Sequence, residues 1–230
     1  MRFYLKREES SSLLVLFAGW GMDQHPFLSL LPPERDVLIV FDYRSWQSEE
    51  ILAIMAEYSS LHLLAWSMGV WVAQRLLAAR EDLLAKVDFS VAINGTLAPI
   101  DAVHGIDPQV FKGMVDDFSP QVLELFNKKM CRRELSRFMA DAPRRDLAGL
   151  HEELAHFYQE VVALPEGDSL YQMALVSKAD MVILARNQEM FWQQTPIVSV
   201  PGPHFPFYLW RDLGGCLDFC RRSANKKNTL

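Results

Sequence analysis

One passage constrains the fold more than any other. Residues 61–77, LHLLAWSMGVWVAQRLL, pass from an apolar strand through Ala65-Trp66-Ser67-Met68-Gly69 directly into a helical pattern. A strand that becomes a helix within so few residues must bend sharply, and small side chains at Ala65 and Gly69 let the two approach. Such a nucleophile elbow lifts the Ser67 hydroxyl above a sheet edge, and the helix N-terminus beneath it favours developing negative charge. The pattern departs from G-x-S-x-G in carrying Ala65 at its first small position. Serine also caps helices, so the motif alone leaves a capping role open for Ser67.

The rest of the chain supplies a setting for that turn. Apolar runs of buried-strand length occur at Leu13 to Phe17, Val37 to Phe41, Leu61 to Trp66, Phe89 to Ile93, Met173 to Val176 and Ile197 to Val200. Residues 69–84 place Val72, Leu76 and Leu77 together and Gln74, Arg75 and Arg80 elsewhere on the wheel, which predicts an amphipathic helix. Strand alternating with helix predicts an α/β chain with a mostly parallel central sheet flanked by helices. From Thr96 to about Tyr158 the alternation breaks, and residues 121–139 and 145–161 fit two or more helices with no strand between them. We therefore expect one domain over residues 1–230, with a helical lid inserted at about 96–160.

Two further features bear on Ser67. The loop Phe17-Ala18-Gly19-Trp20-Gly21-Met22-Asp23 follows the first strong strand. Its Trp20 N–H, with the N–H of Met68, is the candidate pair for an oxyanion hole, although glycines also mark ordinary turns. Asp180, in SKAD after MALV, and His204, in PGPHFPF after IVSV, then follow Ser67 in the order nucleophile, acid, base. Both sit at the carboxyl ends of strands, where a parallel sheet gathers its functional loops. In such a set His204 takes and returns the Ser67 proton while Asp180 orients the imidazole. His25, His104, His151 and His156 read as surface residues. Asp42 is the rival acid, but it precedes Ser67 in the chain.

Composition excludes several alternatives. The net charge of -6 argues against an electrostatic grip on nucleic acid. Cys131, Cys216 and Cys220 cannot all pair and show no C-x-x-C spacing, as expected of a reducing compartment. No apolar stretch approaches the roughly 20 residues of a membrane span. These features predict a soluble cytoplasmic protein with neither a nucleic-acid nor a membrane partner. The histidines form no compact ligand set and no phosphate-binding glycine fingerprint is present, so neither metal nor cofactor is expected.

Taken together, FAGWGMD, LLAWSMGVWVA, INGTLAPID, SKAD with NQEMFW, and PGPHFPF resemble the BioG family of pimeloyl-acyl-carrier-protein methyl ester esterases over nearly the whole chain. The resemblance implies an α/β-hydrolase fold and a serine carboxylesterase of biotin synthesis that releases methanol from pimeloyl methyl ester on acyl carrier protein. It also implies Ser67, Asp180 and His204 as the triad, with Trp20 and Met68 at the oxyanion. A generalist carboxylesterase or thioesterase, or a non-catalytic binding protein of this fold, remains the alternative, because the fold does not choose the substrate.

The lid segment carries Lys128, Lys129, Arg132, Arg133, Arg137, Arg144 and Arg145 in an otherwise acidic chain. Such a cluster, represented by Arg132, Arg133 and Arg137, suits an acidic carrier protein, or else forms a solvated face balanced by Glu124, Glu134 and Asp141. Trp20, Trp66, Met68, Phe111, Met114 and Phe138 are candidates to line an acyl channel. Of these, Trp20 and Met68 are favoured because the elbow and loop set them beside the nucleophile.

Overall fold

The computed structural model describes residues 1–161 and 169–227. Seven strands, β1 (Arg2–Lys6), β2 (Ser12–Phe17), β3 (Asp36–Phe41), β4 (Ser60–Trp66), β5 (Val87–Ile93), β6 (Met173–Ser177) and β7 (Ile197–Val200), form one sheet. Their order is β1-β3-β2-β4-β5-β6-β7, and every pairing is parallel except that of β1 with β3. The six expected strands are all present. The seventh, β1, is an edge strand in which only Phe3, Tyr4 and Leu5 are apolar between Arg2 and Lys6, and it stays partly exposed, so it lacks the longer apolar run that marks the others.

Ten helices accompany the sheet among the described residues: α1 (His25–Leu28), α2 (Glu49–Ala56), α3 (Met68–Leu77), α4 (Glu81–Leu84), α5 (Pro108–Asp116), α6 (Pro120–Cys131), α7 (Leu135–Ala140), α8 (Leu147–Glu160), α9 (Ala185–Phe191) and α10 (Leu213–Lys227). Alternation along each strand sends side chains to two layers. Leu13, Val15 and Phe17 join Leu38, Leu63 and Ala65 against α2 and α3, whereas Leu14 and Leu16 join Ile39, Leu64 and Val91 against α10. Covering on both faces is why β2 and β3 read as unbroken apolar runs.

The expected helix over residues 69–84 ends at Leu77, and α4 follows after a turn through Arg80. Met68 through Gln74 are all buried, so α3 is covered on more than one face. The Phe157 ring of α8 packs edge-on against Trp71, and the Tyr171 hydroxyl donates to the Val70 carbonyl at 2.6 Å.

Between β5 and β6 the described chain contains four helices, α5 to α8, and no strand. Their starts are chemically marked. Asp107 accepts from the Gln109 and Val110 amides, Ser119 from Val122 and Asp146 from Gly149, while Pro108 and Pro120 open α5 and α6. The helical run expected over 121–139 is divided at Arg132, whose φ of 51° ends α6 before a short 3-10 turn leads into α7.

Candidate active site

Between β2 and β4 the strand order reverses direction, because β3 lies on one side of β2 and β4 on the other. Beyond the carboxyl ends of strands at such a switch point a parallel sheet leaves a crevice. Ser67 leaves β4 there and the Gly19-Trp20 loop leaves β2.

The elbow is built under strain. Asp42, Ser67 and Asn94 immediately follow β3, β4 and β5, with φ of 58°, 57° and 46°. Such backbone is costly for a non-glycine residue and persists only where the surroundings impose it. Gly69 shows part of that imposition, since a Cβ there would stand 2.2 Å from the Phe17 carbonyl oxygen. A Cβ on Gly19 would meet the Ser67 Cβ at 3.1 Å, which sets the β2 loop directly beside the serine.

Ser67, His204 and Asp180 come together from three strand ends. His204 Nε2 lies 2.9 Å from Ser67 Oγ, and His204 Nδ1 lies 2.8 Å from Asp180 Oδ2. Asp180 also accepts from the Val182 and Ile183 amides at 2.8 and 3.0 Å, and from Gln188 Nε2 at 2.9 Å. An acceptor so occupied takes the Nδ1–H of a neutral imidazole, leaving Nε2 free to accept from the serine hydroxyl. The His204 carbonyl receives the Trp66 indole N–H at 2.7 Å and the Asn94 side-chain amide at 2.9 Å, which fix the base from behind. All three residues are buried.

Ser67, Trp20 and Met68 share an enclosed apolar pocket with Pro99, Ile106, Phe111, Met114, Phe126, Val182 and Ile183. Phe111 and Met114 therefore line the pocket at the nucleophile together with Trp20 and Met68. Trp66 and Phe138 do not line it: they pack against Phe205, at 5.3 Å in each case, in the layer behind His204. A neighbouring cavity of about 130 Å³ lies on the other side of Trp20 and Phe126.

The rival acid Asp42 is bound to Arg44 and Arg145 rather than to a histidine. Within the basic cluster from Lys128 to Arg145, Arg145 is withdrawn from the surface, with a side chain 3% exposed. Arg132, Arg133 and Arg137 are exposed. Arg133 pairs with Glu134, and the Arg137 guanidinium lies 3.9 Å from the centre of the Tyr208 ring. Burial pushes the Cys131 thiol up to about 12, so it is no rival to Ser67 as a nucleophile. Among the described residues no group of three or more His, Cys, Asp or Glu is arranged to hold a metal ion, and no helix is long and apolar enough to cross a membrane.

Sequence reasoning missed Gln188 and Asn94 as supports of the acid and the base. Both lie within segments singled out for their resemblance, INGTLAPID and NQEMFW, but a lone amide side chain carries no sign of its partner until the strands are paired. Phe126, Val182 and Ile183 were missed as pocket walls for the same reason.

Known proteins share this fold. The crystal structure of BioG from Haemophilus influenzae superimposes with a TM-score of 0.83 at 27% identity, over 93% of this chain and 98% of that one. A thermophilic esterase from Thermogutta terrifontis shares the fold at a TM-score of 0.66 and 12% identity, over 98% of this chain and 93% of that one. In sequence, a protein of Bacteroides fragilis named malonyl-[acyl-carrier protein] O-methyltransferase is 35% identical over 84% of this chain, which spans only 39% of that protein's length. A pimeloyl-[acyl-carrier protein] methyl ester esterase of Aeromonas hydrophila is 28% identical, over 61% of this chain and 66% of the relative. The fold is that of the α/β-hydrolases, and with residues 1–213 matching the family described as pimeloyl-ACP methyl esterase BioG, the chain belongs to that family of esterases.

Proposed function

We propose that the chain is a serine carboxylesterase that hydrolyses the methyl ester of a pimeloyl chain held on acyl carrier protein, releasing methanol and a free carboxylate for biotin synthesis. The observation that carries this reading is the pair of hydrogen bonds running from Ser67 through His204 to Asp180 at the wall of an apolar pocket. Ser67 Oγ attacks the ester carbonyl carbon while His204 Nε2 takes its proton, and Asp180 stabilises the imidazolium. The Trp20 and Met68 N–H groups donate to the oxyanion as it forms. Collapse breaks the bond to the methoxy oxygen, which leaves as methanol with the proton from His204. Water, giving its proton to His204, then attacks the acyl-serine, and Ser67 regains its proton as the acid departs. The route needs no metal or cofactor.

We read the insertion at about residues 96–160 as a lid whose Phe111, Met114 and Phe126 close the pocket over Ser67. Acyl carrier protein as partner is supported by the names of the Aeromonas and Bacteroides relatives, both of which refer to carrier-bound acyl groups. Exposed Arg132, Arg133 and Arg137 would meet the acidic carrier and its phosphopantetheine by charge complementarity.

The test is to supply pimeloyl-carrier methyl ester and follow both methanol and the mass of the carrier. The proposal expects methanol and a carrier lighter by one methylene, both lost in Ser67→Ala. Release of unacylated carrier would instead make the protein a thioesterase, and no turnover with wild type would favour a binding role.

A further inference from the structure

The loop proposed to supply an oxyanion donor is not held by the sheet alone. Four consecutive residues of it are bound from the insertion, over sequence separations of more than a hundred residues. The Trp20 indole N–H donates to the Leu150 carbonyl at 2.9 Å, and the Gly21 amide donates to Glu153 Oε2 at 3.2 Å. Arg145 Nη1 donates to the Met22 carbonyl at 3.5 Å, and the Arg144 amide donates to Asp23 Oδ2 at 2.7 Å.

At the centre lies a buried group of charges. Glu153, with a fully buried side chain, receives Arg145 at 2.5 Å on Oε2, and its Oε1 receives the Tyr43 amide at 2.9 Å. Arg145 also reaches Asp42 Oδ1 at 3.1 Å, while Arg44 grips Asp42 with Nε and Nη2, both at 2.8 Å. Tyr43 completes the frame from below, its hydroxyl donating to the Ala18 carbonyl at 2.7 Å. Gly21 takes φ of 78°, which lets the backbone turn through this position without a side chain to strain it.

Burying an ion pair gains little stability over a well-packed apolar substitute, so stability alone does not account for charges placed here. What such a group does supply is direction, because each carboxylate oxygen accepts only from donors set around it. Oxyanion donors need that direction, since misplacement of a reacting group by about 1 Å can cost about a hundredfold in rate.

We propose that Glu153, clamped by Arg145, is a positioning residue for the reaction: by holding the Gly21 amide it aims the preceding Trp20 N–H at the ester oxygen. The inference rests on the reading of Trp20 as an oxyanion donor. It also makes the insertion part of the catalytic apparatus, because Arg145 and Glu153 belong to it while the loop belongs to the sheet.

The experiment compares Glu153→Gln, Arg145→Lys and Arg145→Met with wild type on a short p-nitrophenyl ester. Rates are expressed per site labelled by a fluorophosphonate, so that loss of folded protein drops out. Affinity is measured for a trifluoromethyl ketone, whose adduct with Ser67 places a negative oxygen in the hole. Glu153→Gln should lower kcat per labelled site by about 10- to 100-fold, leave KM within about twofold, and weaken the ketone by the same factor as kcat. Arg145→Lys, which keeps the charge, should retain more activity than Arg145→Met. Should Glu153→Gln not fold, the two Arg145 variants carry the same comparison. Unchanged kcat per labelled site and unchanged ketone affinity would overturn the positioning role while leaving the proposed esterase intact. A wild-type activity that survives Ser67→Ala would remove the reading beneath it instead.

Discussion

The floor and the roof of the candidate site are held in different ways. On the floor, Ser67, Asp180 and His204 each sit one to four residues beyond a strand end, so the parallel sheet sets their spacing. On the roof, Arg145 and Glu153 reach the Trp20 loop through side chains across sequence separations of up to 132 residues. Backbone pairing makes the floor rigid with few specific side chains, whereas the roof depends on a small number of buried charges. Damage to the floor should therefore act on chemistry or abolish the fold, while damage to the roof should act through alignment.

The largest effect is expected where the floor carries the proposed proton transfer. Asp180→Asn keeps the shape but favours the wrong imidazole tautomer, and kcat should fall by about 10⁴ with the fold intact by circular dichroism. A loss below tenfold would mean that Asp180 does not orient His204. Next, Gly69→Ala should cost more than about 4 kcal/mol by denaturant titration, because the added carbon meets backbone rather than a movable side chain. A near-neutral result would show that the elbow is looser than the 2.2 Å approach implies.

How much of this was legible in the sequence divides along the same line. Six strands, the elbow and the order Ser67, Asp180, His204 could be read because buried parallel strands are apolar throughout and their ends are short. The edge strand β1 could not, since its apolar run is only three residues long between Arg2 and Lys6 and none of it is fully buried. Arg145 and Glu153 were equally opaque: an arginine and a glutamate near a charged helix read as solvated surface. Only the placing of α8 against the Trp20 loop shows that they are buried. Arg132, at positive φ, likewise divides the stretch 121–139 at a point that an expectation of two or more helices there and over 145–161 did not locate.

The roof can be probed by pH. Burial pushes the Asp42 carboxyl upward, but its hydrogen bonds to Arg44 and the charges of Arg145 and Arg44 outweigh this and hold it below the usual carboxylate range. The stabilisation is thus fully present above the unfolded-state value and is lost as pH falls through the folded one. Asp42→Asn should therefore cost about 3 kcal/mol at neutral pH, with the gap to wild type closing in strong acid. A gap that does not change with pH would show that the charge on Asp42 is not what matters. Glu153 behaves in the opposite sense, since burial raises its carboxyl above the ordinary range against the pull of Arg145 and two backbone amides.

The smallest effect belongs to the outer surface of the insertion. Reversing Arg132, Arg133 and Arg137 to glutamate should raise KM for the carrier-bound ester by about tenfold at low salt, less at high salt, and spare a small free ester. Equal loss on both substrates would return these arginines to the solvated face that balances Glu134.

The central claim is that the serine lifted by the β4–α3 turn is the reacting group. Fluorophosphonate labelling followed by peptide mapping tests it most directly. A single adduct on Ser67, absent from Ser67→Ala and much slower to form in His204→Ala, is the predicted result. Wild-type protein that stays unlabelled, or that labels at another residue, would contradict it.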